Sequence, residues 1–378
     1  MKYRKFGDTG RKTSILGFGC MRLPRLKDDE PAIDHEEAIK IIRKGIDEGI
    51  NYVDTAYPYH DHESEIVLGK ALKDDYREKV TLATKAPIWL DEYDEPADFE
   101  KYLDEQLEKL DVDCIDVYLL HALNKERYEK IQKLGLPKEA QKAKEQGKIK
   151  HLGFSFHDKP EVLKEIIDSD NFEMMLVQYN ILDTANEEMI EYAAKKGLGV
   201  AVMGPVGGGR LAGTPPEDLK KYLTPGKDTF VDLALKFVWT NPHVSVALSG
   251  MGSEEMLDIN TSIANSDNYQ LTKKELEKAK ELGKAFEEKT EVICTNCKYC
   301  MPCPNDVNIP YIFRALIYYQ VYGREDQAQR MYERLSEEDG PKGEQATACV
   351  ECGECLDKCP QNIEIIDQLK KAHEILCK

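Results

Sequence analysis

A chain of 378 residues, 41 % hydrophobic and 32 % charged, has the composition of a globular protein and is long for one ordinary domain. Its net charge of −18 excludes an extended nucleic-acid surface, which needs a basic face, but leaves room for a local basic pocket around one nucleotide. No apolar run is long enough to cross a bilayer and "MKYRKFGDTG" lacks the apolar core of a signal peptide, so a cytoplasmic, reducing setting without a membrane partner is expected.

In chain order, short runs rich in Val, Ile and Leu recur: "SILGFGC", "INYVDTA", "KVTLATK", "CIDVYLLH", "IKHLGFSF", "MMLVQYN", "LGVAVMG" and "VSVALSG". Each ends in Gly, Ser or a polar residue, as strands buried on both faces do where they emerge into loops. Helical periodicity fills the intervals. "HEEAIKIIRKGIDEG" places Ala38, Ile41, Ile42 and Ile46 on one face and stops at Gly49, and "DFEKYLDEQLEKL", "KPEVLKEIID", "NEEMIEYAAKKG" and "TFVDLALKFVWTN" read likewise. Strands alternating with helices over roughly 250 residues predict a (β/α)8 TIM barrel. A doubly wound open sheet is the alternative, but it usually brings a G-x-G-x-x-G turn after its first strand, and "GFGCMRL" does not fill that pattern.

Two further helical segments follow "SGMGSEE", and then the composition changes. Eight of the 11 cysteines lie in "CTNCKYCMPCP" and "CVECGECLDKCP", separated by a stretch of helical period. The domain boundary is therefore expected near residue 290: a barrel over 1–290, then a small helical domain over 291–378 held by metal. In a reducing compartment clustered cysteines are read as ligands before disulfides. Cys20, Cys114 and Cys377 have no partners in sequence and read as incidental thiols.

Chemistry in such barrels sits at the C-terminal ends of the strands, which selects Asp54, Lys85, His121, Ser155, Gln178 and Ser249. The loop "DTAYPYHDHESE" adds Tyr57 and Tyr59. A Lys ammonium beside a phenol favours the phenolate and lowers its pKa from about 10, so that the phenol can donate a proton near neutrality. An Asp holds the Lys charged. Singly, each residue has an ordinary reading: a loop cap, a solvated lysine, a satisfied strand-end histidine. Their joint occurrence at successive strand ends is what points to proton delivery to a carbonyl.

"NYVDTAYPYH", "LATK" and "DVYLLH" resemble the catalytic stretches of the aldo/keto reductases, over roughly residues 1–270. The resemblance implies Tyr59 as proton donor, since the family's Asp and Tyr lie five positions apart, with Lys85 and Asp54 tuning it and His121 orienting the carbonyl. It also implies NADP(H) or NAD(H) as cofactor and a small carbonyl or alcohol as substrate. "GFSFH" is similar to the stretch whose Ser, here Ser155, contacts the nicotinamide amide; where the family usually continues with Asn, residue 156 is Phe. Gln178 matches the other amide ligand. Met203 stands near the place of a Tyr that stacks on the nicotinamide. Gly207, Gly208 and Gly209 let backbone approach the pyrophosphate, and Arg210 can pair with it. In "SGMGSEEMLDIN", Ser249 and Asn260 fall in the adenosine stretch, which carries Glu254 and Glu255 and no Lys or Arg, so weak discrimination between NADPH and NADH is expected.

Thiolates at x2 spacing closing on Cys-Pro resemble the 4Fe-4S runs of bacterial ferredoxins, with zinc as the rival reading of paired C-x2-C. In two-cluster ferredoxins the last Cys of each run serves the other cluster. The resemblance thus implies Cys294, Cys297, Cys300 and Cys359 around one cluster and Cys349, Cys352, Cys355 and Cys303 around the other, although the first run has x2 before Cys303 where x3 is usual. The whole chain resembles aldo/keto reductases with a C-terminal ferredoxin-like domain. That implies an NAD(P)(H)-dependent carbonyl–alcohol oxidoreductase carrying two 4Fe-4S clusters, with a one-electron carrier protein such as a ferredoxin or flavodoxin as partner. Two readings stay open beside it: an electron-transfer or redox-sensing protein whose barrel binds nucleotide with little turnover, and clusters that serve only as a staple.

Overall fold

The computed structural model describes residues 1–26, 32–337 and 340–377. It divides into two compact units, residues 1–205 with 235–271, and residues 206–234 with 272–377 of the described chain.

The first unit opens with an antiparallel hairpin, β1 (Tyr3–Lys5) and β2 (Lys12–Ser14), that strand-like runs of Val, Ile and Leu do not announce. Eight parallel strands follow: β3 (Leu16–Gly19), β4 (Tyr52–Asp54), β5 (Thr81–Ala86), β6 (Ile115–Leu123), β7 (Ile149–Phe156), β8 (Met174–Gln178), β9 (Gly199–Met203) and β10 (Val246–Ser249). They pair in sequence order, and β10 closes on β3, so the expected TIM barrel is formed. Closure removes every sheet edge, and the helices cover the outside, which is why the strand runs are apolar on both faces.

The barrel interior is packed, not hollow. Phe6, at the hairpin turn, meets Tyr52 edge to face at 5.4 Å and joins Val117, Leu119, Met174 and Leu176 in the core. A Cβ on Gly199 would lie 2.8 Å from the Phe6 ring, so glycine there lets the hairpin plug the N-terminal end. At the same end the buried Asp116 of β6 accepts from Arg11 at 2.7 Å, Lys150 at 2.7 Å and Leu82 N–H at 2.9 Å, and pairs with Arg77 at 2.8 Å. Outside, the helix His35–Asp47 buries Ala38, Ile41, Ile42 and Ile46, the stripe read from sequence, behind an Asp34 cap that accepts from Glu37 N–H.

The second unit is helical where the sequence reads helical. Ile309–Gln320 and Glu325–Glu333 lie between the cysteine runs and Ile365–Leu376 follows them. Its core includes Phe313, Leu316, Tyr332 and Leu369, and the Tyr332 hydroxyl lies 2.8 Å from His373 Nδ1. Segment 206–234 belongs to this unit: Phe230 and Phe286 meet at 6.4 Å, and Lys289 pairs with Asp218 at 2.9 Å. Among the described residues, no helix is long and apolar enough to cross a membrane.

Candidate active site and cluster ligands

Parallel register brings consecutive strand ends side by side: Asp54 pairs with Ala83, and Lys85 with Leu119. Lys85, only 1 % exposed, donates from Nζ to Asp54 Oδ1 at 2.5 Å and to the Thr55 carbonyl at 2.6 Å. Its ammonium lies 5.0 Å from the centre of the Tyr59 ring. Behind it, Gln106 donates to the Lys85 carbonyl at 3.1 Å and to the buried Glu65 at 2.5 Å, and Tyr118 donates to Gln106 at 2.7 Å. This locks the strand end from which the lysine projects. Asp54 Oδ2 has no partner among the described residues, and burial raises its carboxyl above the usual range against the pull of Lys85.

His121 completes the group. Its ring is 6.3 Å from that of Tyr59, edge to face. Burial, then the Lys85 ammonium, His157 and Arg127, hold it well below the usual imidazole value, so it is neutral near pH 7. The strand is distorted here: the β6–β7 register shifts between Leu120 and Leu123, and Ala122 adopts φ 55°. Arg127 donates to the Ala122 carbonyl at 2.8 Å and Ala122 N–H donates to Ser155 Oγ at 2.7 Å, which holds the bulge. Tyr57 turns elsewhere. It reaches Glu105 at 3.4 Å and packs on Tyr102, and burial followed by Glu105 pushes its phenol up to about 12. Cys20 is fully buried, and burial followed by Asp54 drives its thiol far up, so it stays protonated.

Around the same barrel end, Ser155 and Gln178 are buried, and Met203 ends β9 against the interior core. Having accepted from Ala122, the Ser155 hydroxyl still has its own proton to donate. Gly204, at φ +63, leaves space that a Cβ would fill 2.9 Å from Gln178 Oε1. Asn260 donates to Ser249 Oγ at 3.0 Å. Gly207, Gly208 and Arg210 belong to the second unit. The charge reading of the adenosine stretch changes in three dimensions: Glu254 pairs with Lys44 at 3.3 Å and with Lys40, both from the helix His35–Asp47, and Lys44 also pairs with Asp258. The two lysines are more than 200 positions from Glu254, so no local window shows them.

In the second unit the cysteine runs turn through left-handed backbone at Asn296, Lys298, Glu351 and Gly353. Such turns aim successive N–H groups and sulfurs inward, and Asn296 N–H donates to Cys294 Sγ at 3.4 Å. Burial, and after it the neighbouring Cys297, Cys294 and Cys359, hold the Cys300 thiol up, and burial, followed by Cys349, Cys303 and Cys352, pushes Cys355 up to about 11. A small cleft is lined by Cys300 together with Cys303, Cys349, Cys352 and Cys355, and by Val307 and Leu369. Among the described residues no three His, Cys, Asp or Glu side chains converge tightly enough for a single metal ion. The donor chemistry, eight free thiols in the second unit with five of them lining one cleft, fits iron–sulfur ligation.

Residues 15–284 match the aldo/keto reductase family. The chain belongs to that family. Residues 293–364 of this aldo/keto reductase match the 4Fe-4S dicluster domain. The uncharacterized oxidoreductase YqkF of Bacillus subtilis (strain 168) is 27 % identical over 307 residues, 73 % of this chain and 94 % of its own. L-Galactose dehydrogenase of Arabidopsis thaliana is 27 % identical over 285 residues, 69 % of this chain and 88 % of its own. The solved structure of aldo-keto reductase AKR11C1 from Bacillus halodurans in its holo form is 27 % identical and superposes with a TM-score of 0.65, covering 75 % of this chain and 96 % of that one. The reductase is thus an oxidoreductase-type barrel with an iron–sulfur domain at its C-terminal end.

Sequence reasoning passed over Trp89, which meets His121 edge to face at 4.7 Å. It follows β5 by three positions, so an aromatic just beyond a strand end was the available signal.

Proposed function

We propose that this aldo/keto reductase interconverts a small carbonyl and its alcohol with NAD(P)(H), and that its eight clustered cysteines hold two 4Fe-4S clusters. The observation that carries the reading is the buried Lys85 ammonium between Asp54 and the Thr55 carbonyl, 5.0 Å from the Tyr59 ring, with a neutral His121 beside it. A bound nicotinamide supplies or takes the hydride at the carbonyl carbon. Tyr59 gives its phenolic proton to the developing alkoxide, and the fixed Lys85 charge stabilises the phenolate left behind. Neutral His121 donates a hydrogen bond to the carbonyl oxygen and orients it without competing for the proton. In the oxidative direction Tyr59 takes the alcohol proton back. The relative named for dehydrogenation of L-galactose supports an alcohol as the substrate in that direction.

Ser155 and Gln178 offer a hydroxyl donor and an amide to the carboxamide, and the space opened by Gly204 lies beside Gln178. Gly207 follows Met203 by four positions, and its loop, with Gly208 and Arg210, receives the pyrophosphate. Cys294, Cys297, Cys300 and Cys359 hold one cluster and Cys303, Cys349, Cys352 and Cys355 the other, for one-electron exchange with a carrier such as ferredoxin or flavodoxin.

Protein purified without oxygen and titrated with NADPH and NADH tests the reading, alongside Tyr59→Phe and Tyr57→Phe. Tyr59→Phe is expected to lose at least about a hundredfold in kcat with nicotinamide affinity nearly unchanged. Tyr57→Phe is expected to keep most activity, and its being the dead variant would overturn the assignment. Iron and sulfide near eight each per chain would establish both clusters. Tight nucleotide binding with no turnover of any carbonyl or alcohol would instead make this an electron-transfer or sensing protein.

A further inference from the structure

Where β8 and β9 end side by side, two asparagine side chains are spent on backbone. Gln178, the last residue of β8, pairs in register with Met203, and Gly204 follows Met203 directly. The Gln178 amide rests against that glycine: a Cβ at 204 would lie 2.9 Å from Oε1, 3.4 Å from Cδ and 3.5 Å from Nε2. Asn180, fully buried, donates from Nδ2 to the Gly204 carbonyl at 2.9 Å and accepts the Leu182 N–H on Oδ1 at 2.8 Å. Its own N–H and carbonyl both pair with Asp183, at 2.9 and 3.1 Å, so the side chain is held at its root. Asn186 approaches from the other side. It stands at the N-cap of the helix Glu187–Lys195, where an asparagine ordinarily accepts an N–H from the first turn. It makes no such bond. Its Nδ2 donates instead to the Gln178 carbonyl at 3.1 Å, and its buried Oδ1 has no partner among the described residues. A buried acceptor left without a partner works against folding, so this side chain serves the end of β8 and not its own helix.

We propose that Asn180 and Asn186 are positioning residues for the nicotinamide half of the cofactor: one fixes the glycine against which the Gln178 amide lies, the other fixes the Gln178 backbone, and together they hold that amide ready for a carboxamide. The proposal rests on the reading that Ser155 and Gln178 receive the carboxamide. Phe156, next after Ser155 at the end of β7, has no polar side-chain atom to add. An amide presents its donors and acceptor at fixed angles, so a Gln178 side chain free to turn would match a carboxamide only part of the time. Fixing it beforehand lowers the ordering cost of binding, and only a ligand that carries the carboxamide gains.

ADP-ribose, which is NAD+ without its nicotinamide, separates the two halves of the cofactor. The test compares the affinities of NAD+ and ADP-ribose for the full chain by calorimetry. Asn180→Ala is expected to weaken NAD+ by about fivefold and ADP-ribose by less than about twofold, and Asn186→Ala to weaken NAD+ alone by about threefold, the range of one net hydrogen bond. Gly204→Ala, which presses a Cβ onto the Gln178 amide while both asparagines stay, is expected to give the same one-sided loss. In a Gln178→Ala background, Asn180→Ala is expected to change the ratio of the two affinities no further, because the amide through which it acts is gone. Equal weakening of both ligands, or a full further loss in the Gln178→Ala background, would overturn the proposal and leave the proposed function standing. A Gln178→Ala variant with the wild-type ratio would overturn the carboxamide reading and the proposal with it. Should Asn180→Ala not fold, Asn186→Ala and Gly204→Ala decide by the same ratio.

Discussion

Two buried carboxylates stand at opposite ends of the barrel, both beside cations, and they are treated differently. Asp116, at the N-terminal end, is satisfied on both oxygens by Arg11, Lys150, Arg77 and the Leu82 N–H. Burial acts to raise it, but Arg77, that N–H, Lys150 and Arg11 together hold it below the usual carboxylate range. Asp54, at the C-terminal end, has one lysine on one oxygen and, among the described residues, no partner on the other, and burial leaves it raised. A fully compensated charge stabilises a fold, whereas a half-compensated one holds a neighbour ready. The bottom of a TIM barrel is where conserving structure is enough; the top is where strand ends are given over to chemistry.

The largest expected break of this comparison is Lys85→Met. It leaves Asp54 as an unpaired buried charge, at a cost approaching about 3–5 kcal/mol, less whatever Asp54 recovers by taking a proton. Activity falls at least about a hundredfold with it. Adding Asp54→Asn is expected to restore the stability measured by urea unfolding and none of the activity, which separates the two roles. Asp116→Asn comes next: it strands three cations around a neutral amide and is expected to cost about 3 kcal/mol. Its kcat/KM should stay within about twofold of wild type, and a large kcat loss in well-folded protein would remove the distinction between the two ends.

The pH dependence sharpens the same contrast, because the two groups have opposite signs. Asp116 is depressed in the fold, so its contribution is present above the unfolded value of about 3.9 and is lost as pH falls through the folded value. Asp54 is raised, so the folded state holds the proton more tightly and stability declines as pH rises from about 3.9 through its folded value. Unfolding free energies measured from acid to neutral pH should lose the acid-limb drop in Asp116→Asn and lose the decline in Asp54→Asn. The smallest effect concerns a solvated carboxylate by comparison. Glu254→Gln removes a carboxylate that Lys40 and Lys44 share, leaving Lys44 with Asp258, and should tighten NADPH, not NADH, by up to about fivefold, as suits a solvent-screened pair. Equal changes for both nucleotides in fluorescence titrations would count against a 2′-phosphate contact.

The (β/α)8 order was legible because each strand is a short apolar run flanked by helical period, and both signals are local. The strand-end residues Asp54, Lys85 and His121 were legible as a group for the same reason: parallel strands in sequence order put successive strand ends side by side. The cysteine spacing is local too, and it announces the 4Fe-4S domain. What only the tertiary structure decided depends on partners distant in the chain. The hairpin around Phe6 is stabilised by a core it meets only after the barrel closes, and the charge around Asp116 is collected from Arg11, Arg77 and Lys150. Lys40 and Lys44 reach Glu254 only because the first helix packs beside the last strand's helix. Segment 206–234 reads as one more barrel loop and helix, yet it joins the cluster unit, because Gly208 can touch Thr295 and Phe230 can meet Phe286 only once residues 272–377 have folded against it. Periodicity and spacing record what a residue does with its near neighbours; charge compensation and close backbone approach are set by neighbours that the fold alone supplies.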